Sequence, residues 1–253
     1  MTEFLPVYRE NAVDLLEEAI PYVVAGGVGY DLLLEVCSHY RVMGAINLLL
    51  DVDARGLHAD LSRSANAFLF GLRSGVKGSV VASKAAPLFD GIACRDETTA
   101  SAIAELLPRE PRLEVEYHED FLFVSLLARQ RLGDIGEEES ESLLEKWAEL
   151  DDGDVRLPVC SSLVRKDAQL FDESFPAYLE AYRERYQQRL AGGQISEEVG
   201  HTMGNLCIEG LALLRLAEDA GFPTRHEYAL VPSLTRAAPE GPYEPDAWRS
   251  PGR

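Results

Sequence analysis

The sequence has few basic residues and no long apolar run, and each shortage excludes a class of protein. It holds 24 lysines and arginines against 43 aspartates and glutamates, which gives a formal net charge of −19. This charge repels nucleic acid and anionic membranes, so neither is an expected partner. No stretch approaches the length of a membrane span, and the N-terminus lacks the cationic and apolar regions of a signal peptide. We therefore expect a cytoplasmic protein with a basic protein partner.

Cysteine is also scarce, and catalytic signatures are missing. The four cysteines lie far apart among apolar neighbours, without CxxC or histidine spacing: Cys37, Cys94, Cys160 and Cys207. This pattern favours small buried side chains over a disulfide framework or a zinc site. GxSxG, HExxH and a paired catalytic Cys and His do not occur. The sequence therefore predicts no cofactor, no metal site and no enzyme.

Two segments contain chemically capable residues without the spacing of a known site. The glycines of VVAGGVGYD (23–31) resemble a phosphate loop, but the segment has no GK[ST] ending and follows a predicted helix, which favours an interhelical turn. DVDARGLHAD (51–60) does not complete a calcium loop, because the final glutamate is absent. Asp51 or Asp53 is therefore expected to cap a helix.

Apolar residues recur at helical spacing along most of the chain, and no segment reads convincingly as a strand. The predicted helices cover 8–22, 29–50, 53–74, 79–95, 97–107, 118–132, 137–150, 156–166, 168–191 and 196–221. RLEVEY (112–117) alternates, but the proline before it makes an extended linker an equally good interpretation. The pattern predicts an all-α array of about ten helices with hairpin-like or repeat-like packing and no substantial sheet.

The prediction assigns one domain to residues 1–234 and a proline- and glycine-rich tail to residues 235–253, with Tyr243 and Trp248 as possible anchors. Within the domain, PLFDGIACRD (87–96) and PVCSSLVRKD (158–167) share a proline start and a basic-acidic end. Two stacked helical hairpins would give this echo. Two unrelated helix corners that use proline and an aspartate cap would give it equally well.

The last predicted helix, 196–221, is the most apolar and carries an unusual polar stripe. His201, Asn205 and Glu209 follow each other at intervals of four residues. The favoured interpretation is that these groups pair with neighbouring helices, with Glu209 bound to an arginine, because buried polar groups need partners. The alternative is that they line a ligand or catalytic pocket.

Acidic residues concentrate between Asp134 and Asp154, where Lys146 is the only basic residue. Leu143, Leu144, Trp147 and Leu150 are predicted to form the inward apolar face of the same segment, so the carboxylates are expected on the opposite face. Solvation alone would account for such a face, and steering of a basic partner is the functional interpretation. The predicted partner-binding residues are Glu137, Glu138, Glu139, Glu141, Glu145, Glu149, Asp151, Asp152 and Asp154.

Three stretches resemble the Imm49 family of bacterial immunity proteins, which belong to polymorphic toxin systems. They are RDETTASAIAELL (95–107), VRKDAQLFDESFPAYLEAYRERY (164–186) and CIEGLALLRLAEDAGFPTRHEYALVPSL (207–234). The resemblance implies a helical protein that neutralises a cognate toxin by stoichiometric binding in the cytosol. It transfers no catalytic or binding residue to this chain.

The composition agrees with an immunity protein that binds a basic toxin, for example a nuclease, encoded by an adjacent gene. A helical-repeat scaffold for another protein would have the same architecture. An enzymatic antidote built on the His201, Asn205 and Glu209 stripe is the third hypothesis.

Overall fold

The fold is an array of α-helices, as the periodicity predicts. A computed structural model describes residues 2–239 and 241–252, and these contain no β-strand. The helices are α1 (Leu5–Ala25), α2 (Tyr30–Asp51), α3 (Ala54–Ser74), α4 (Ala86–Ala93), α5 (Glu97–Leu106), α6 (His118–Leu132), α7 (Glu137–Leu150), α8 (Arg156–Arg165), α9 (Ala168–Ala191), α10 (Glu197–Thr202) and α11 (Ile208–Asp219). Over the described ranges, none of these helices combines the length and the apolar character that a membrane crossing requires.

Three helical hairpins, α2/α3, α4/α5 and α8/α9, turn through the same local structure. A residue with left-handed backbone conformation is followed by an aspartate whose carboxylate accepts a backbone N–H of the next helix. The three pairs are Val52–Asp53, Arg95–Asp96 and Lys166–Asp167. The last two belong to the echoed segments, so the echo corresponds to a shared type of helix corner. Asp53 is the expected cap.

Helices α2 and α3 pack closely because glycine lies where their backbones meet. A methyl group at Gly44 would lie 3.1 Å from the carbonyl oxygen of Leu57, and one at Gly71 would overlap the buried side chain of Leu33. The absence of these methyl groups allows the approach. The large fully buried rings of Tyr40 and Phe68 lie on the same two helices, which therefore form the centre of the core.

The prediction of a single helix over 196–221 is wrong. Helix α10 ends at Thr202, a 3₁₀ turn covers Met203–Asn205, and Cys207 is extended before α11 begins. The Cys207 amide donates to the carbonyl of Leu230 at 2.9 Å, and the Cys207 thiol accepts the amide of Gly210 at 3.2 Å. Glycine and asparagine in the break favour helix weakly, and these bonds replace the helical ones that the break removes.

The C-terminal segment lies on the helices through both residues predicted to anchor it. The Tyr243 hydroxyl donates to the carbonyl of Cys94 at 2.8 Å. Trp248 is buried in a short 3₁₀ turn (Ala247–Arg249), its ring centre 5.2 Å from that of Phe70 in α3. The Tyr40 hydroxyl donates to the carbonyl of Trp248. The described part of this segment is therefore continuous with the core.

All four cysteines are buried and none forms a disulfide, which agrees with their apolar sequence surroundings. The alternating segment RLEVEY forms turns, with Glu116 directed inwards and Leu113, Val115 and Tyr117 exposed. The Glu116 carboxylate accepts the amides of Arg112 at 2.8 Å and Ser83 at 2.9 Å. These two bonds explain why an alternating pattern forms a fixed turn here.

Candidate functional site

The acidic surface is built on α7 and the loop that joins it to α8. Leu144 and Trp147 are buried on the inner face of α7, and the Trp147 ring centre lies 6.0 Å from that of Phe123 in α6. The first turn carries Glu137, Glu138 and Glu139, where carboxylates complement the positive end of the helix dipole. The prediction that Leu150 also faces inwards is wrong, because it is exposed at the end of the helix. The buried face of Leu144 and Trp147 fixes the orientation of α7, and the glutamates of the helix point outwards.

Three of the nine predicted carboxylates, those of Glu139, Glu141 and Asp154, already have partners within the protein. Glu139 pairs with Arg129 at 2.7 Å and Glu141 with Arg165 at 2.7 Å. The hydrogen bond from each arginine lowers the pKa of its glutamate. Their exposed positions make these pairs weak contributors to stability.

Asp154 stabilises the loop between α7 and α8. It accepts the indole N–H of Trp147 at 3.1 Å and pairs with Arg156 at 2.6 Å. Burial alone would raise the pKa of Asp154, but the hydrogen bonds from Arg156 lower it below the usual value. Arg156 also pairs with Asp120 at 2.6 Å, so the start of α8 is tied to α6.

The other six predicted carboxylates are exposed, and none has an ion pair within the described residues. They are Glu137, Glu138, Glu145, Glu149, Asp151 and Asp152. Spacings of seven and four residues place Glu138, Glu145 and Glu149 on one face of α7. We call these six residues the acidic surface. Exposed charges of this kind raise association rates and selectivity more than they raise affinity.

A second polar group lies inside the helical array, where Arg41 of α2 binds two carboxylates. Its Nε atom lies 2.9 Å from Oδ1 of Asp90 in α4, and its Nη2 atom lies 3.0 Å from Oε1 of Glu209 in α11. The Ser64 hydroxyl donates to Oδ2 of Asp90 at 2.6 Å. The expected pairing of Glu209 with an arginine is therefore confirmed. One cation joins three helices.

The pKa values of the two carboxylates in this cluster are shifted in opposite directions. Burial raises the pKa of Asp90 to about 7, although Arg41 and the Ser64 hydroxyl both favour the charged form. Burial would also raise the pKa of Glu209, but Arg41 lowers it below its ordinary value. The guanidinium thus keeps Glu209 charged and leaves Asp90 close to its protonation point at neutral pH.

The polar stripe predicted from His201, Asn205 and Glu209 is not formed, because the helix breaks between them. His201 Nδ1 lies 3.3 Å from the Tyr8 hydroxyl of α1, and the Asn205 amide donates to the His201 carbonyl at 2.9 Å. Asn205 is exposed, whereas Glu209 faces Arg41 in the interior. The prediction that these side chains share one stripe is therefore wrong.

Sequence reasoning identified Glu209 but missed its partner Arg41 and the second carboxylate on that arginine, Asp90. Both residues interrupt apolar helical segments: Arg41 stands in HYRVMGAI and Asp90 in PLFDGIA. A charged residue on an apolar helix face needs a partner on another helix. A search for isolated charged residues on the predicted apolar helices could have found the members of this cluster. Which of them pair with one another is known only once the packing of the helices is known.

Among the described residues, no group of three or more histidine, cysteine, aspartate or glutamate side chains is arranged to hold a metal ion. The site geometry therefore consists of an outward-facing acidic surface and an internal ion cluster.

No protein-family model matches this chain, and comparisons with curated proteins and with solved structures give no match either.

Proposed function

We propose that this protein is an immunity protein that binds a basic toxin directly and uses the acidic surface to capture it. The observation that carries the proposal is the set of six exposed carboxylates on α7 and its loop that have no ion pair within the described chain. An internal salt-bridge network would leave little charge for a partner. Here the charge is free to attract one, and the net charge of −19 reinforces the field.

The resemblance to the Imm49 family supplies the biological class of the partner, and the acidic surface supplies its chemistry. Charge complementarity would mainly raise the association rate, while buried aromatic or aliphatic side chains would set the residence time. Binding without chemistry also fits the internal cluster, in which Arg41 binds Asp90 and Glu209 of two other helices. In this proposal, the toxin is inactivated by occlusion.

The test is co-expression with the protein encoded by the adjacent gene, followed by measurement of cell survival and co-purification. We expect the wild-type protein to restore survival and to form a stable complex. Rescue without a complex would favour an enzymatic antidote. Absence of both rescue and binding would reject the immunity function and favour the helical-scaffold hypothesis.

The acidic surface is tested with the triple variant Glu138→Lys, Glu145→Lys and Glu149→Lys, which avoids the internally paired Glu139 and Glu141. A matched control, Glu35→Lys, Glu105→Lys and Glu184→Lys, makes the same charge change at exposed positions on α2, α5 and α9. We expect the α7 variant to slow toxin association at least about tenfold at low salt, and the control to change it much less. Equal effects of the two variants would remove the acidic surface from the proposal.

A further inference from the structure

The outer face of α1 carries an exposed apolar stripe that no described element covers. Its inner face is buried against the core through side chains such as Leu16 and Val23. On the outside, Phe4, Val7, Leu15 and Tyr22 are 51, 50, 43 and 62% exposed. Phe4 lies in the turn just before α1, and successive steps of three, eight and seven residues place the four side chains along one side of the helix, over about 27 Å. Exposed apolar stripes of this length are typical of interaction sites.

Carboxylates border the stripe on one side. Glu10, Asp14 and Glu18 follow at intervals of four residues, so they form a row along α1. All three are exposed, and none has an ion pair within the described residues. The only arginine of the helix, Arg9, pairs with Asp51 of α2. This side of α1 is therefore uniformly negative.

Helix α10 supplies carboxylates near the N-terminal end of the stripe, on the other side. Tyr8 stacks on Phe4 with ring centres 6.4 Å apart and contacts His201 of α10. Glu197 and Glu198 stand in the first turn of α10, one turn before His201, and burial together with their charges raises the pKa of Tyr8. The apolar stripe thus lies between negative borders at its N-terminal end and beside one along the rest.

We propose that the outer face of α1 binds an amphipathic helix of a basic partner protein. Its apolar face would cover Phe4, Val7, Leu15 and Tyr22, and its lysines and arginines would lie against the carboxylate row. Helix-in-groove recognition uses this combination of an apolar seam and flanking charges. A second copy of the chain fits less well, because pairing two such faces would bring two carboxylate rows together. Anionic lipid would be repelled for the same reason.

This surface is distinct from the acidic surface of α7 and does not depend on the immunity function. Leu150 is the only large apolar side chain of α7 that is exposed, so that helix offers charge with little apolar anchorage. Helix α1 offers both. Affinity in protein interfaces comes mainly from desolvated apolar anchors, and charge adds rate and selectivity.

The test uses a fluorescein-labelled synthetic peptide of about 20 residues, with leucines at heptad positions a and d and lysines at e and g. A scrambled peptide of identical composition is the control for charge alone. Fluorescence anisotropy measures binding of both to the full chain. We expect the patterned peptide to bind at least about tenfold more tightly than the scrambled one, because only it can place leucines along the stripe.

Three variants locate the site. Leu15→Ser with Tyr22→Ser removes exposed anchors, and Glu10→Lys with Asp14→Lys and Glu18→Lys reverses the row. Each should weaken patterned-peptide binding at least about tenfold while circular dichroism stays unchanged, since all five side chains are exposed. The charge-matched α7 variant, with lysine at 138, 145 and 149, should leave binding within about twofold.

Three results would overturn the proposal. Equal binding of both peptides would show attraction by net charge only. Loss of binding in the α7 variant with retention in both α1 variants would place the site on α7, which leaves the proposed immunity function standing. A wild-type dimer in sedimentation velocity that Leu15→Ser and Tyr22→Ser dissociate would show that a second copy covers the stripe.

Discussion

At the scale of single residues, the interior depends on Arg41, because it is the cation shared by Asp90 and Glu209. Arg41→Met keeps an apolar chain of similar length but leaves two facing carboxylates without their counter-ion. We expect the free energy of unfolding in urea to fall by about 3–5 kcal/mol. Arg9→Met, which breaks the exposed pair with Asp51, should cost less than about 1 kcal/mol. Similar losses for the two variants would show that the cluster contributes little.

The pKa of Asp90 gives stability a specific pH dependence. Its folded-state pKa of about 7 lies above the ordinary value of 3.8, so the folded protein binds this proton more tightly than the unfolded chain. The stability from this group is fully present below pH 3.8 and is lost as the pH rises towards about 7. Asp90→Asn removes the titration. In urea unfolding across this pH range, the free energy of unfolding of the variant should rise relative to that of the wild type as the pH rises. Parallel plots of this free energy against pH for the two proteins would contradict the shift.

Asp167 and Asp96 both cap a helix, but only Asp96 also accepts hydrogen bonds from side chains of another helix. Asp167 caps α9 at an exposed corner, and its alanine variant should lose about 1 kcal/mol. Asp96 caps α5 and also accepts the Ser62 hydroxyl at 2.9 Å and the Asn66 amide at 3.0 Å. Asp96→Ala should therefore lose about 2–4 kcal/mol, because buried donors are left unsatisfied. Urea unfolding of both variants measures the difference, and equal losses would show that Asp96 acts only as a cap.

At the scale of helices, the contact between α2 and α3 depends on the absence of a side chain. A methyl group at Gly71 would lie 2.4 Å from Cδ2 of Leu33, whose side chain is fully buried. Gly71→Ala should lower the free energy of unfolding by about 1–3 kcal/mol despite the better helix propensity of alanine. Gly204→Ala is the control, since its methyl group would make an ordinary 3.6 Å contact with Tyr186. A stabilised Gly71→Ala variant would show that the two helices can separate at little cost.

The helices were predictable where periodicity and caps agreed, and the error over 196–221 shows the limit. Apolar spacing continues through the break at Met203–Asn205, because both parts face the same core. The break depends on the bond from Cys207 to Leu230, which periodicity cannot indicate. In the same way, the outward face of α7 followed from its pattern, whereas its pairs with Arg129 and Arg165 required the packing of other helices.

At the scale of the whole molecule, negative charge is spread over separate faces. Helices α1 and α7 both carry exposed carboxylates without ion pairs in the described chain, and of these two helices α1 also carries several exposed apolar side chains. Net charge from the sequence predicted a basic partner without distinguishing these faces. In the two proposals, apolar exposure distinguishes the anchoring surface on α1 from the steering surface on α7, and this exposure depends on which helices lie at the edge of the array.

The C-terminal segment should unfold together with the helices. Trp248 is buried against Phe70, and the backbone carbonyl of Trp248 accepts a hydrogen bond from the Tyr40 hydroxyl. The guanidinium of Arg215 in α11 adds hydrogen bonds to the carbonyls of Thr235 and Ala237, at 3.1 and 3.0 Å. These contacts join the segment to α2, α3 and α11. Separate unfolding would require the loss of a fully buried indole, which costs several kcal/mol.

The two tryptophans allow this to be measured, because one lies in α7 and the other in the C-terminal segment. Trp147→Phe leaves Trp248 as the only indole, and Trp248→Phe leaves Trp147. In urea, fluorescence of the Trp147→Phe variant should give the same midpoint as its circular dichroism at 222 nm, since coincident probes indicate one cooperative unit. An earlier fluorescence midpoint for Trp248 alone would show that residues 235–253 unfold first and act as a detachable tail, as the predicted boundary at residue 234 implies.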